Sequence, residues 1–200
     1  MTTINDEDRE AVKKLMEDAE IMAHASMRQS GTISPTLFIH GAEGKAVFSP
    51  DEFGDEVSKE LFVQKARLVC VAHGANAAVF LTEAWVRRAK NLGDALDTSI
   101  RPSESPDREE MVVIMGETRQ GHFQKMLPIE RTADGRFMGF GASPELAFDN
   151  IQGRFAQFVP PIVPDEKGRA KAKEVLEAFG IEREDMEKQH KHRGHGRARF

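Results

Sequence analysis

The chain has 200 residues, 40% hydrophobic and 30% charged, with a formal net charge of -5. That balance supports one packed domain with ample polar surface, and it excludes a wholly disordered chain or a bulk neutraliser of nucleic acid. A single cysteine, Cys70, excludes an internal disulfide and any zinc site built on several thiolates.

The first residues, Met1 to Asp6, have neither a basic start nor an apolar run, and no window reaches the ~20 apolar residues of a membrane span. A reducing cytoplasm is the expected setting. Asn5 is suited to cap a helix whose first turn carries Asp6, Glu7 and Asp8. Val12, Leu15, Met16, Ala19, Met22, Ala23 and Met27 then recur at helical spacing, and Gly31 ends the run. Thr36 to His40 and Lys45 to Phe48, joined by Gly41-Ala42-Glu43-Gly44, read as a β-hairpin. Gly44-Lys45 is not a phosphate loop, because Ile39 and Ala46 stand where that motif needs Gly and Ser or Thr.

Ser49-Pro50-Asp51-Glu52 has the form of a capping box and predicts a helix that buries Phe53, Val57, Leu61, Leu68 and Ala72 and stops at Gly74. Cys70 then lies in an apolar run as an inert thiol. From Ala77 to Arg88 the chain alternates as a strand. Ala78, Phe80, Thr82, Ala84 and Val86 form a nearly apolar face, while the opposite face carries Glu83 and the lone tryptophan, Trp85. That second face must lie under another element, a loop or a partner.

Arg88 to Glu110 reads as a long loop, with Lys90 to Leu96 as a short helix within it. Met111 to Met115, Phe123 to Arg131 and Arg136 to Phe140 follow as strands of an antiparallel meander, turning at Arg119-Gln120-Gly121 and Thr132-Ala133-Asp134-Gly135. Pro128 marks an edge or a bulge. Ser143-Pro144-Glu145 predicts another helix start. The Gly139-Phe140-Gly141 that precedes it lacks the third glycine and the βαβ setting of a dinucleotide fingerprint.

Val159 to Pro164 is a stiff connector. The expected organisation is one α+β domain over 1–159, the proline-rich connector at 160–164, a helical extension over 165–187 and a basic, histidine-rich tail over 188–200. Lys188, Lys191, Arg193, Arg197 and Arg199 make that tail an arm for an anionic or nucleic-acid partner, or simply a solvated helix end.

No catalytic signature is present, and the absence of tyrosine excludes any mechanism that needs a tyrosyl acid or nucleophile. Glu83 and Glu117, with His40, His73 or His122, would suit a carboxylate–imidazole metal site if the sheet brought them together. Glu104, Arg108 and Glu109 are expected to fold over Glu83 and Trp85 as a recognition surface, since Trp and Arg dominate binding energy at interfaces.

The element order α-β-β-α-β-β-β-β-α predicts an antiparallel sheet of five to six strands packed by helices. This order is similar in topology to roadblock- and profilin-like domains, and that resemblance implies a dimerising or partner-binding platform. Glu83-Ala84-Trp85 followed by Pro102-Ser103-Glu104-x-Pro106-Asp107-Arg108-x-Glu110 resembles a pattern in bacterial proteins of similar size and no assigned activity. It implies a bacterial source and no mechanism.

The resulting expectation is a cytoplasmic binding or regulatory protein, not an enzyme. It would contact an unidentified protein or a second copy through Glu83, Trp85, Glu104, Arg108 and Glu109, with no cofactor, metal or membrane. A metal-dependent hydrolase using Glu83 and Glu117 is the first alternative. A nucleic-acid-associated protein acting through its tail is the second and is less favoured, because the whole chain is acidic.

Overall fold

The structure, a computed structural model, describes residues 5–87, 99–142, 145–148 (as backbone) and 154–181. Helix α1 (Asp6–Ser30) is capped by the Asn5 side chain and ends where Gly31 adopts the left-handed conformation, its N–H donating to Met27 O. Its stripe from Ala11 to Met27 is buried, as the spacing predicts. The expected hairpin forms from β1 (Thr36–Gly41) and β2 (Gly44–Phe48), with Phe38 opposite Val47. Helix α2 (Glu56–Ala72) leads into β3 (Ala75–Arg87), and a single 3-10 turn (Pro102–Glu104) precedes β4 (Arg108–Thr118). β5 (His122–Arg131), β6 (Phe137–Phe140), β7 (Glu145–Phe148) and helix α3 (Glu166–Ala178) complete the order.

The strands form one antiparallel sheet in the order β2-β1-β3-β4-β5-β6, with β7 also paired to β5. The fold is therefore α+β, as the sequence predicts. Helix α1 covers one face of the sheet, where Val12, Leu15 and Met27 share a core with Val79, Leu81 and Ile114. Helices α2 and α3 cover the other, with Phe62, Val69 and Leu176 packed around Phe80 and Phe158. Ala172 and Leu176 of α3 thus lie in the same core as α2.

Three expectations need correction. The helix predicted from Ser49 begins at Glu56, because Gly54 interrupts the run and Asp55 forms the capping box with Ser58 instead. Phe53 lies before the helix and packs edge-on against Phe62, while Val57 and Leu61 point outward. The helix predicted at Ser143-Pro144-Glu145 is replaced over 145–148 by β7, which pairs with β5 at His122 to Lys125; local capping signals gave way to an open strand edge. Arg108 to Glu110 belong to β4 rather than to a loop, paired with Trp85 to Arg87. As expected for the second face of β3, another element covers it: α1 seals the side that carries Glu83, so both faces are buried from Ala77 to Leu81. The short helix at Lys90 to Leu96, residues 143–144, the last part of the predicted extension and the basic tail lie outside the described residues.

Pro128 sits where β5 changes partners, from β7 at 122–125 to β6 at 129–131. Its carbonyl accepts from Gly141 N, so its nitrogen faces the same outer side and the missing N–H removes no bond to β4.

Gly41, at the irregularity between β1 and β3, meets the end of α2 at close range. A Cβ there would stand 2.5 Å from His73 O and 2.9 Å from Gly74 O. These are backbone atoms that cannot rotate away. Gly41→Ala is expected to lower stability by about 1–3 kcal/mol in urea unfolding. An unchanged midpoint would show that the strand and helix end can separate freely.

Candidate functional site

The residues picked out in the sequence sort onto two ends and two faces of the sheet. Glu83 pairs with Val112 and Trp85 with Glu110, so all four share the face covered by α1. Glu117 pairs with Ala78 on the opposite face, five residues and about 17 Å along β4 from Val112. The two carboxylates proposed for a metal site therefore do not converge.

Glu117 is 5% exposed and does a different job. Its Oε2 accepts from Gln157 N at 2.8 Å and its Oε1 from Val159 N, fastening the strand of chain that leads to α3. Arg67 and Arg119 hold the same segment by donating to Ala156 O and Pro160 O. His122 Nε2 lies 3.9 Å from the carboxylate. Burial pushes the Glu117 carboxyl above the ordinary range for glutamate, against the lowering effect of its backbone donors. Burial, then the Glu117 charge, pushes the neighbouring Cys70 thiol well up, so Cys70 is an inert core residue.

His40 is elsewhere again, its Nδ1 2.9 Å from Asn76 Oδ1, while Asn76 donates to Asp8. His73 is the C-cap of α2. Among the described residues no group of three or more His, Cys, Asp or Glu side chains is arranged to hold a metal ion.

The other end of β3 and β4 is a compact polar cluster around an aromatic ring. The Glu83 carboxylate accepts from Ile33 N, tying the sheet to the chain that leaves α1. Burial raises the Glu83 carboxyl above its usual range, and the Glu110 charge adds to this, while the Ile33 N–H and Arg131 oppose it. Arg131 grips Glu110 with two prongs, Nη2 to Oε1 at 2.6 Å and Nε to Oε2 at 2.8 Å. That pairing, more than any other contact, pushes Arg131 above the ordinary range of arginine. Its Nη2 also donates to Gly31 O, so the cluster closes the exposed end of α1.

Beyond this anchor Trp85 is 44% exposed. The Arg108 guanidinium lies 4.8 Å from the centre of its ring, and Arg108 Nη1 donates to Ser103 O in the 3-10 turn. The Pro102–Glu104 turn packs on β3, and Ser105 is buried behind it. Trp85 and Arg108 are thus brought together, with Glu104 exposed in the adjoining turn, whereas Glu83 lies further along the same face, its partner Val112 four strand positions from Arg108. Glu109 takes the next position on β4, on the reverse face opposite Val86. Lys188, Lys191, Arg193, Arg197 and Arg199 lie outside the described residues.

Arg131, which fastens this end of the sheet with Glu110, carries no signal in the linear sequence, and Glu110 stands out only as the last acid of the Pro102 to Glu110 pattern. Only the register that sets Trp85 opposite Glu110 would have revealed the role of the latter. Comparison with protein-family models, curated proteins and solved structures finds no match to this chain.

Proposed function

We propose that this chain is a binding protein that recognises a protein partner with the Trp85–Arg108 surface. The observation that carries the reading is the half-exposed indole, held flat under a guanidinium that is itself fixed to the Ser103 carbonyl. The exposed part of the indole adds no buried area to the fold. A tryptophan pre-ordered on a rigid strand pair loses little side-chain freedom when it binds. The chemistry asks for a partner that lays apolar surface on the indole and a carboxylate against Arg108.

The hydrolase reading loses its support because Glu83 and Glu117 face opposite ways. No helix among the described residues is long and apolar enough to cross a membrane. The buried thiol of Cys70 fits a reducing cytoplasm, which belongs to the same proposal.

A partner recovered on the immobilised chain and then purified should bind Trp85→Ala at least about 30-fold more weakly, the loss typical of a central interface residue. Arg108→Ala should weaken binding as well, and both variants should stay folded, with losses of unfolding free energy below about 3 kcal/mol. Full affinity in folded variants would remove this surface from the function.

A further inference from the structure

A second surface, remote from Trp85, lies along the outer side of α2. A groove of about 670 Å³ runs between that helix and the chain that follows β2. Phe48, Val57, Leu61 and Phe62 line it, and Val57 and Leu61 are 78% and 41% exposed. Asp51, Glu52 and Asp55 stand at the end nearest the start of α2. Lys65 stands near the other end, its Nζ 5.8 Å over the Phe179 ring.

The chain enters this groove itself. Helix α3 ends at Ala178, Gly180 turns in the left-handed conformation, and Ile181 becomes part of the lining. The next six residues in sequence carry four acids, Glu182, Glu184, Asp185 and Glu187, and one base, Arg183; Lys188, Lys191, Arg193, Arg197 and Arg199 follow. In sequence order a net acidic stretch therefore follows Ile181 directly, and a basic one comes after it.

The lengths agree with this order. From Lys65 back to Asp55 is ten helical positions, about 15 Å. Lys188 is seven residues past Ile181, a reach of up to about 23 Å when extended. The basic stretch that begins at Lys188 can therefore lie at the acidic end without strain.

We propose that residues 182–200 of the same chain occupy this groove, running antiparallel to α2 with their acidic half at Lys65 and their basic half at Asp51, Glu52 and Asp55. The tail then covers the apolar floor of Val57 and Leu61, and its contact with the acidic end weakens as salt screens the charges.

The full-length protein is digested with trypsin, and cleavage at Lys188 to Arg199 is timed against the free 182–200 peptide at the same salt. Cleavage of a docked segment follows the fraction of time it is released. In about 20 mM salt the tail should be cut about tenfold more slowly than the peptide, at every protein concentration, and high salt should remove most of the difference. D51K/E52K, which changes two exposed residues outside the capping box, should abolish the protection, and so should Leu61→Glu. Equal rates for chain and peptide would overturn the proposal. So would protection that grows with protein concentration, which assigns the groove to the tail of a second copy. Protection that survives all three substitutions would place the tail elsewhere.

Discussion

Phe80→Ala lowers the unfolding free energy by about 3–5 kcal/mol, the usual loss for a phenylalanine removed from a core. Phe80 is 1% exposed on the central strand β3 and lies at the middle of an aromatic cluster. Phe155 stacks on it with centroids 5.1 Å apart, Phe62 lies at 5.5 Å and Phe158 at 5.8 Å. These rings come from three separate parts of the chain: α2, β3 and the segment that leads to α3. Truncation leaves a void that no single element can close, because the neighbours are held by the strands, the helix and the Glu117 bonds. Domains of this kind are stable by about 5–15 kcal/mol, so one ring accounts for a large share. Met138→Ala is the control: Met138 is 65% exposed, and its loss is expected to change stability by less than about 0.5 kcal/mol. Urea unfolding of the two variants measures both, and comparable losses would contradict the assignment of the core.

Glu117→Ala is the second large effect. It removes the acceptor of the Gln157 and Val159 backbone N–H groups and leaves both without their partner in a buried setting. The expected loss is about 2–4 kcal/mol, since each orphaned donor costs about 1–3 kcal/mol and the buried charge is relieved. The segment from Ala156 to Val159 should show faster amide exchange in this variant, before the sheet does.

The charge on Glu117 has its own pH signature. Its carboxyl titrates above the ordinary glutamate range in the folded chain, chiefly through burial, so the folded state holds that proton at pH values where the unfolded chain has released it. Protonation of Glu117 therefore favours folding. Its contribution is complete below the unfolded value and is lost as pH rises through the folded one. The stability advantage of wild type over Glu117→Gln, which cannot titrate, should shrink as pH climbs from below 4.5 toward neutrality. An advantage that grows with pH would mean that the backbone donors outweigh desolvation.

The sequence-level reading succeeded where a local pattern and the tertiary structure agree. The α1 stripe, the Gly41–Gly44 turn and the meander after Met111 each carry their own periodicity and their own turn residues. It failed where the decision was made at long range. Ser49-Pro50 has good capping chemistry, but Thr36 Oγ1 lies 3.1 Å from Ser49 Oγ, and Asp55 supplies an equally good box six residues later. Ser143-Pro144 has the same chemistry, but the residues that follow meet an unfilled edge of β5.

The candidate site was legible in part. Trp85 and Glu83 stand out by alternation alone, and Arg108 by its place among acids and prolines. The meeting of Trp85 with Arg108 depends on a register in which Arg87 faces Arg108 and Trp85 faces Glu110, and no turn in the described residues sets it. Glu117 was misjudged for the opposite reason. A lone acid on a strand resembles a catalytic group until its backbone donors, forty residues away in sequence, are seen.

The central functional claim concerns Trp85, the only tryptophan in the chain, so its fluorescence reports on that surface alone. The direct measurement is acrylamide quenching of the wild-type chain, free and saturated with a purified unlabelled partner that lacks tryptophan. The account predicts strong quenching in the free protein, and a blue-shifted, largely protected emission in the complex. Emission and quenching that stay the same with the partner bound would contradict it.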